Sequence, residues 1–429
     1  MRKLDCLFVH PNASWLIYQD LSEEHSAIEP PIWGAMLAKS CQVNGFGVAI
    51  LDCEAERLTI EKSVQQIIDI DPKLVCFVVM GQQPSASIQN MSGIHLALEK
   101  LRKNELNFKI ILIGLYPSAD PRKCMLDEKT DFVCQGEGHV TLNDLLQITD
   151  FDDFNQIEKV PGLWYRRNEN ICYTKPAKLV NQQDLQKIYP GFAWDLLPMN
   201  KYRTSNWHAL SNNNEKQPFA SILTSLGCPY SCEFCCINAP FGNNNVENSF
   251  GKPSFRYWDV NFIIEEFDKL ANMGIKNIKY IDEMHVLYPQ HYAKLAERIV
   301  ERGYKFNTWA YARISKVKED YLDLLKKSGV NWLACGIEGA SSEIRKAVMK
   351  GHFKDIEIVK VVRRIQEAGI NVISNFIFGL PGDNFETMQQ TLELATELNC
   401  EFVNFYSCMC YPGSTLYLKA KKENWELPS

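Results

Sequence analysis

Apolar and polar positions follow two alternating periods over residues 1–150. Short apolar runs predict buried strands, and apolar residues at helical spacing predict amphipathic helices between those strands. The strands are expected at 4–9, 48–51, 74–80, 109–114 and 131–135, and the helices near 32–43, 61–70, 88–103 and 140–148. Strands that alternate with helices predict an α/β domain built on a doubly wound parallel sheet.

Three of the predicted strands end in loops of small and polar residues. These loops are MGQQPSAS at 80–87, IGLYPSAD at 113–120 and CQGEGH at 134–139. In a doubly wound sheet, ligands bind beyond the carboxyl ends of the strands, where glycines let a polar group approach backbone N–H groups. Each loop alone could be a simple turn, and Ser87 could simply cap a helix. Together the three loops favour a ligand.

The pattern weakens over residues 151–218, which we interpret as a linker with a small β-hairpin at 160–176 and a flexible Asn-rich connection at 211–218.

From residue 219 the alternation of strands and helices resumes with longer units. Strands are expected at 220–224, 277–281, 306–310, 332–337, 372–378 and 402–406, and helices near 260–273, 290–302, 319–328, 355–368 and 385–399. This pattern predicts a partial (β/α)6 barrel over 219–429, with its chemistry at the carboxyl ends of the strands. We expect the C-terminal extension to be absent or truncated.

Composition and charge narrow the class of protein. The 429 residues are 46% hydrophobic and 23% charged, and the net charge of −6 gives no sign of a nucleic-acid partner. The N-terminus lacks the pattern of a signal peptide, and no uncharged apolar run reaches the roughly 18 residues of a transmembrane segment. We therefore expect a cytoplasmic protein, whose fifteen cysteines bind metal or are buried rather than forming disulfides.

The segment GCPYSCEFCC at 227–236 contains four of those cysteines directly after the first predicted barrel strand. Cys228, Cys232 and Cys235 have the spacing C-x3-C-x2-C. Structural zinc would need a second Cys or His pair nearby, and none follows at the usual distance. Three thiolates can instead hold three irons of a [4Fe–4S] cube and leave the fourth iron open to a substrate. Cys236 could replace Cys235, but we expect it to be a bystander.

This motif, with aromatic Phe234 before the third cysteine, resembles the radical S-adenosylmethionine (SAM) superfamily. The resemblance implies that the open iron chelates the amine and carboxylate of SAM, whose reductive cleavage gives a 5′-deoxyadenosyl radical. It also implies SAM-binding residues in the segments YIDEMH, WAYAR, ACGIEGAS and NFIFGLPGDNFETM, namely Asp282, Glu283, Arg313, Glu338 and Gly379. Structural alternatives are a helix-dipole role for the two adjacent acids, a surface salt bridge for Arg313 and a plain turn for Gly379.

An N-terminal doubly wound (Rossmann-like) domain before such a barrel resembles the cobalamin (B12)-dependent radical SAM family, which includes methylases and the anaerobic magnesium-protoporphyrin monomethyl ester cyclase. The resemblance implies that the nucleotide tail of cobalamin contacts the strand-end loops. The implied contacts are Gly81, Gln82, Ser85, Ser87, Gly114, Ser118, Gly136, Glu137 and Gly138. Cobalamin domains with a histidine lower ligand carry D-x-H-x-x-G, whereas this chain has FVHPNASW at 8–15, so we expect His10 to be structural.

The resemblance implies a radical SAM enzyme, foremost a methyltransferase that places a methyl group on a weakly activated carbon. Its cofactors would be a [4Fe–4S] cluster, SAM and cobalamin, and an external flavodoxin- or ferredoxin-like protein would donate low-potential electrons. The substrate would be a small molecule or a lipid- or saccharide-type compound.

Three alternatives stay open at this point. One is a radical cyclase or another non-methylating radical enzyme, and another is a non-catalytic iron–sulfur or corrinoid carrier. The third is a tRNA methylthiotransferase, whose N-terminal domain holds a second cluster through three cysteines. Cys6, Cys53 and Cys76 lie in or near predicted strands, but none is convincingly in a strand-end loop, and the acidic composition disfavours tRNA.

Overall fold

The computed structural model describes residues 3–20, 26–81, 83–241, 253–350 and 355–427. The chain divides into two compact units, of which the first comprises Met1–Tyr202, Cys235–Arg256 and Tyr411–Trp425. The second comprises Arg203–Phe234, Tyr257–Cys410 and Glu426–Ser429.

The strands follow the predicted positions closely. In chain order they are β1 Cys6–His10, β2 Val48–Asp52, β3 Leu74–Val79, β4 Lys109–Gly114, β5 Phe132–Cys134, β6 Leu163–Arg167, β7 Asn170–Tyr173, β8 Phe219–Ile222, β9 Ser225–Leu226, β10 Arg256–Tyr257, β11 Asn277–Tyr280, β12 Asn307–Arg313, β13 Val330–Glu338, β14 Asn371–Phe378 and β15 Phe402–Ser407.

The α-helices of the first unit are Ser14–Tyr18, Ile32–Val43, Ile60–Ile70, Pro84–Leu101, Leu115–Ala119, Pro121–Asp127, His139–Leu146, Phe154–Ile157, Leu185–Ile188 and Thr415–Lys422. Those of the second unit are Asn206–Ala209, Val260–Asn272, Pro289–Arg302, Leu322–Lys327, Ser342–Ala347, Asp355–Glu367 and Phe385–Leu398.

A seven-stranded sheet in the order β2-β1-β3-β4-β5-β6-β7 forms the centre of the first unit. Strands β1 to β5 are parallel, and β1 and β3 are buried along their whole length because helices cover both faces. The order changes direction between β1 and β3, which is where doubly wound sheets bind ligands. The predicted doubly wound α/β sheet is confirmed.

The hairpin predicted within 160–176 is present as β6 and β7, and it pairs antiparallel with β5. It therefore extends the sheet of the first unit. The domain boundaries that the sequence suggests at residues 150 and 218 stay predictions.

The second unit contains six parallel strands in the order β15-β14-β13-β12-β11-β8. Strands that neighbour each other in sequential order, with helices between them, form the predicted partial (β/α)6 barrel. At the amino ends of the strands, Trp207 packs 5.1 Å from the rings of both Trp309 and Trp332. This aromatic cluster packs against the amino ends of β12 and β13.

None of the helices in the described part of the chain combines the length and apolarity needed to cross a bilayer. The cytoplasmic location expected from the sequence stays a prediction.

Candidate functional site

The cysteine loop begins where β9 ends, at Gly227, whose φ of +80° favours glycine. Cys228 and Cys232 are both half-buried in the second unit. Burial, with a smaller contribution from the charge of Glu283, raises the pKa of the Cys228 thiol to about 12. An iron that binds this sulfur must therefore displace a proton.

The far end of the loop is anchored on the helix Ser342–Ala347 and the turn after it. Phe234 packs against the apolar cluster that contains Ile344, Val348 and Leu380. The backbone N–H of Glu233 donates to the carbonyl of Val348 at 3.1 Å. The aromatic residue before the third cysteine therefore fixes the loop by packing.

The next two residues of the motif belong to the first unit. Cys235 is half-buried, whereas Cys236 is 0% exposed. In the described ranges, no three His, Cys, Asp or Glu side chains converge on one point to hold a single metal ion. A [4Fe–4S] cube takes each thiolate on a different iron, so its ligands need not converge in that way.

Asp282 lies after β11 and is bound to the end of the first barrel strand. Its carboxylate accepts hydrogen bonds from the N–H of Thr224 at 2.7 Å, the hydroxyls of Thr224 and Ser225 at 3.0 and 2.7 Å, and the N–H of Ser225. Nδ1 of His285 contacts it at 3.0 Å. Burial opposes ionisation, but hydrogen bonds from His285 and Ser225 hold the pKa of Asp282 below its usual range. All these partners belong to the protein, and the prediction that Asp282 binds SAM stays untested.

Two histidines complete this buried network. The ring of His285 stacks on Tyr280 with centroids 4.0 Å apart. Thr224 Oγ1 gives its one proton to Asp282, so it accepts from Nε2 of His291, 3.0 Å away. Burial lowers the pKa of His291 to about 4, and the ring is therefore neutral near pH 7. Sequence patterns gave no signal for the two histidines.

Glu283 is the more available of the two adjacent acids. It is half-buried and has no hydrogen-bond partner among the described residues. Burial, followed by the neighbouring charge of Asp282, raises its pKa to about 8. A carboxyl without a protein partner can accept a hydrogen bond from an ammonium group.

Arg313 ends β12 beside the cysteine loop. Its guanidinium lies 4.1 Å from the ring centroid of Tyr230, and its NH1 nitrogen is 4.0 Å from Sγ of Cys232. Nε donates to the hydroxyl of Ser315 at 3.2 Å. The surface salt bridge considered as an alternative is absent, since Arg313 is 5% exposed and forms no ion pair within the described ranges.

Glu338 ends β13 with a φ of +71°, and it forms a buried ion pair with Lys350, whose Nζ is 2.5 Å away. A Cβ on Gly336 would lie 2.8 Å from Oε1 of Glu338 and 2.9 Å from Nζ of Lys350, so glycine makes room for this pair. No sequence pattern pointed to Lys350, which lies twelve positions beyond its partner and after the helix Ser342–Ala347.

Gly379 follows β14 with a φ of +79°, and its N–H donates to Asp383 at 3.0 Å. Leu380 donates to the same carboxylate at 3.2 Å. The GLPG segment is thus a tight turn closed by Asp383. Its contact with SAM stays a prediction.

In the first unit, the loops after β3, β4 and β5 are neighbours because those strands are neighbours. Ser87 accepts from the N–H of Gly81 at 2.9 Å and donates to the carbonyl of Gln83 at 2.9 Å. It therefore stabilises the first loop from within. Ser85 is half-buried in the first turn of the helix Pro84–Leu101, and Gln82 lies outside the described residues.

Ser118 joins the other two loops. Its hydroxyl donates to the carbonyl of Gly114 at 2.6 Å, and it accepts from the N–H of Gly136 at 3.1 Å. A Cβ on Gly138 would lie 2.8 Å from Cγ2 of Ile113, and Gly138 has a φ of +91°. These contacts explain the small residues of both loops by backbone geometry.

Glu137 is engaged by the protein. One carboxylate oxygen accepts from Arg256 at 2.7 Å, and the other accepts from the N–H of Val180 at 2.8 Å. Burial raises the pKa of Glu137 despite the opposing charge of Arg256. The glutamate is thus committed to a buried ion pair, and its predicted contact with cobalamin stays untested.

His10 ends β1 and is 7% exposed. Its Nε2 is 3.7 Å from Glu54, and Nδ1 has no hydrogen-bond partner in the described part of the chain. Burial lowers the pKa of this ring, but the contact with the Glu54 carboxylate and the charge of Asp52 outweigh it, and the pKa is raised. These contacts suit the structural role expected for His10.

Comparison with known proteins tests the family resemblance. The profile of the radical SAM superfamily matches residues 222–395, and that of the B12 binding domain matches residues 22–146. The chain therefore contains a B12 binding domain followed by a radical SAM domain, the combination found in the cobalamin-dependent radical SAM family. The resemblance drawn from the sequence is confirmed.

Relatives agree with this assignment. An uncharacterized methyltransferase of Pyrococcus horikoshii is 26% identical over 92% of this chain and 79% of its own length. The anaerobic magnesium-protoporphyrin IX monomethyl ester cyclase of Cereibacter sphaeroides is 23% identical over 97% of this chain, which spans only 64% of that relative. The radical SAM methyltransferase TsrM from Kitasatospora setae, whose structure contains bound cobalamin and a [4Fe–4S] cluster, has the same fold as this chain, with a TM-score of 0.73. The two sequences are 19% identical, and the match covers 99% of this chain and 75% of that chain.

Four buried cysteines of the first unit bear on the methylthiotransferase alternative. Cys6, Cys41, Cys76 and Cys134 are all 0% exposed, and the three on strands lie within β1, β3 and β5. Burial, with a hydrogen bond to Cys76, raises the pKa of Cys6, and burial raises the pKa of Cys134 to about 12. Unlike the half-buried Cys228 and Cys232, these four thiols are enclosed in the core of the first unit, which disfavours them as ligands of a second cluster.

Proposed function

We propose that this chain is a cobalamin-dependent radical SAM methyltransferase that places a methyl group on a weakly activated carbon. The observation that carries the proposal is the C-x3-C-x2-C loop at the carboxyl end of the first barrel strand. In the same chain, a B12 binding domain precedes the radical SAM barrel. Methyltransferases among the relatives support this choice of reaction.

The donor set fits the cluster. Cys228 and Cys232 are half-buried thiols at a strand end, and the cation of Arg313 lies beside one of them, as an anionic cluster requires. In the proposal Cys228, Cys232 and Cys235 hold the cluster. When bound, the cluster supplies an electron to cleave SAM, and cobalamin supplies the methyl group.

The strand-end loops of the first unit fit a large polar ligand. Glycines at 81, 114, 136 and 138 keep side chains away from the backbone at the carboxyl ends of neighbouring strands. Ser87 and Ser118 stabilise these loops from within, so their backbone is positioned before a ligand arrives. The loops would hold cobalamin mainly through backbone groups.

The other predicted residues receive specific roles. Glu283 would accept from the SAM ammonium, since its carboxyl has no protein partner among the described residues. Asp282 would fix the strand end before the cluster loop. Glu338, paired with Lys350, would close the wall of the barrel beside SAM and exclude water.

The partners follow from the chemistry. Reductive cleavage of SAM requires a low-potential electron donor, which we propose to be a flavodoxin- or ferredoxin-like protein. The substrate would be a small molecule or a lipid- or saccharide-type compound, and the reaction would take place in the cytoplasm. No nucleic-acid partner is proposed.

The test uses the full chain, reconstituted anaerobically with iron, sulfide and hydroxocobalamin. It is incubated with dithionite, SAM carrying a ¹³C-methyl group and a small-molecule extract of the source cells. We expect 5′-deoxyadenosine and a product labelled on carbon, both lost in Cys232→Ala. Without 5′-deoxyadenosine, the protein would be a carrier and not an enzyme.

The radical cyclase is the second candidate, because a cyclase relative aligns with 97% of the chain. The same incubation separates the two reactions. A cyclase would form 5′-deoxyadenosine and an unlabelled product, which would overturn the methyltransferase proposal while leaving the radical SAM assignment intact.

A further inference from the structure

Arg313 is a buried cation without a carboxylate. It is 5% exposed, and the contacts of its guanidinium within the described residues are the Tyr230 ring at 4.1 Å, the Ser315 hydroxyl at 3.2 Å and Sγ of Cys232 at 4.0 Å. A guanidinium stays charged in proteins. Burying that charge without an opposite charge is costly, so the site calls for an anion.

Two acids of the barrel are already committed to protein partners, and Glu283, which has none, forms no ion pair with Arg313 within the described ranges. Glu338 pairs with Lys350, whose Nζ lies 2.5 Å from it, and Asp282 is engaged by Thr224, Ser225 and His285. Cys232 is the group beside Arg313 that becomes anionic when it binds iron. The aromatic ring of Tyr230, two positions before Cys232, holds the guanidinium plane at that place by a cation–π contact.

We propose that Arg313 is the counter-charge of the cluster ligand Cys232, and that it raises the reduction potential of the cluster. The inference rests on the proposed function, because it requires a [4Fe–4S] cluster on the cysteine loop. Reduction adds one negative charge to the cluster. A fixed cation beside one of its sulfurs stabilises the reduced form, since net charge and contacts to the sulfurs set such potentials.

This role differs from the SAM-binding role that the family resemblance implies for Arg313. In that role the guanidinium would act as a fork, two parallel N–H donors that hold the SAM carboxylate. A fork acts only when SAM is bound, so its loss weakens SAM binding and leaves the SAM-free cluster unchanged. A counter-charge acts on the cluster in the absence of SAM. The SAM-free potential therefore separates the two roles.

The experiment is an EPR-monitored redox titration of the reconstituted full chain without SAM. We expect the midpoint potential of Arg313→Gln to be clearly more negative than that of the wild type, and that of Arg313→Lys to lie nearer the wild type. Arg364→Gln removes an exposed arginine, 46% exposed at its side chain, and is expected to leave the potential unchanged. An unchanged potential in Arg313→Gln with weakened SAM binding would overturn the inference in favour of the fork.

The iron content of each variant is measured first, because a variant without a cluster has no potential to titrate. If Arg313→Gln retains too little iron to titrate, Arg313→Lys decides, because it conserves the charge. Retention of a cluster with a potential near the wild type would then support the counter-charge, and loss of the cluster in Arg313→Lys as well would overturn it. A wild-type chain that takes up no cluster would instead refute the proposed function itself.

Discussion

The carboxylate of Asp282 accepts hydrogen bonds from both the N–H and the hydroxyl of Ser225, three positions before the first cysteine of the cluster motif. The loop therefore starts from a strand end that is fixed by a buried charge. A short loop that must present several thiolates to one cluster depends on such an anchor, because groups behind the ligands set the orientation of the ligands.

Asp282→Asn is predicted to destabilise the second unit and reduce iron uptake. The substitution removes one acceptor oxygen and the negative charge, so some of the buried donors on Thr224, Ser225 and His285 lose their partner. We expect this loss to lower the free energy of unfolding by about 3 kcal/mol. Urea unfolding and iron content after reconstitution measure the two effects. Glu301→Gln, which alters an exposed ion pair with Arg298, is the control and should change neither. A stable Asp282→Asn variant with full iron would show that the anchor is dispensable.

The same network predicts an acid limit. Although burial opposes it, hydrogen bonds from His285 and Ser225 hold the folded-state pKa of Asp282 below its ordinary value of 3.8. A carboxyl with a lowered pKa stabilises the fold above its unfolded-state value, and this contribution disappears as the pH falls through its folded-state value. The stability difference between wild type and Asp282→Asn should therefore shrink progressively below about pH 4.

Cys235 and Cys236 are predicted to behave differently despite being neighbours. Cys236 is 0% exposed and behaves as a small buried apolar residue, so Cys236→Ala should keep the iron content and cost about 1 kcal/mol of stability. Cys235→Ala should lose the cluster. Iron and sulfide analysis with the absorbance of the cluster checks both variants. A cluster retained in Cys235→Ala and lost in Cys236→Ala would exchange their roles.

The sequence located most of the helices and strands because they depend on local patterns. The helix Ile32–Val43 matches its predicted bounds, since its apolar residues and the Pro-Pro and Asn-Gly pairs that flank it are local features of the sequence. The pairing of β6 with β5 was missed, because residues 29 or more positions apart in the chain select each other only in the folded state. The same reason hides the Glu137–Arg256 pair, whose members are 119 positions apart.

Chemistry-bearing residues were predicted by type, and their partners were not. Sequence patterns indicated the acids at 282 and 283. Only the structure shows that Asp282 is hydrogen-bonded to the protein, whereas Glu283 has no hydrogen-bond partner among the described residues. Likewise, the contacts of Arg313 with the sulfur of Cys232 and the ring of Tyr230 were not predicted, and its predicted binding to SAM stays a prediction. A side chain's partner depends on three-dimensional neighbours that periodicity does not encode.

Glu283 is predicted to make stability fall as the pH rises. Burial and the charge of Asp282 raise its pKa to about 8 from an ordinary 4.5, so between these values the folded state binds more protons than the unfolded state. Stability is therefore lost as the pH rises through this window. Glu283→Gln should reduce the decline in unfolding free energy between pH 5.5 and 8. Glu297→Gln, at an exposed helical position, serves as the control. Equal slopes in Glu283→Gln and wild type would contradict the raised pKa.

Gly114→Ala is predicted to destabilise the first unit far more than a matched glycine substitution elsewhere. Gly114 lies opposite Val79 in the β3–β4 pair with a φ of +135°, and a Cβ there would overlap the carbonyl oxygen of Val79. The strain and the clash together should cost about 3 kcal/mol of stability, and the loop that Ser118 joins to Gly136 should shift.

Gly45 is the matched control. It also has a positive φ, of +86°, but a Cβ there would meet nothing within 4 Å, so Gly45→Ala should cost about 1 kcal/mol. Urea unfolding measures both losses, and hydroxocobalamin binding followed by absorbance reports on the loops. Equal losses would mean that backbone strain alone, and not the contact with Val79, requires glycine at this strand end.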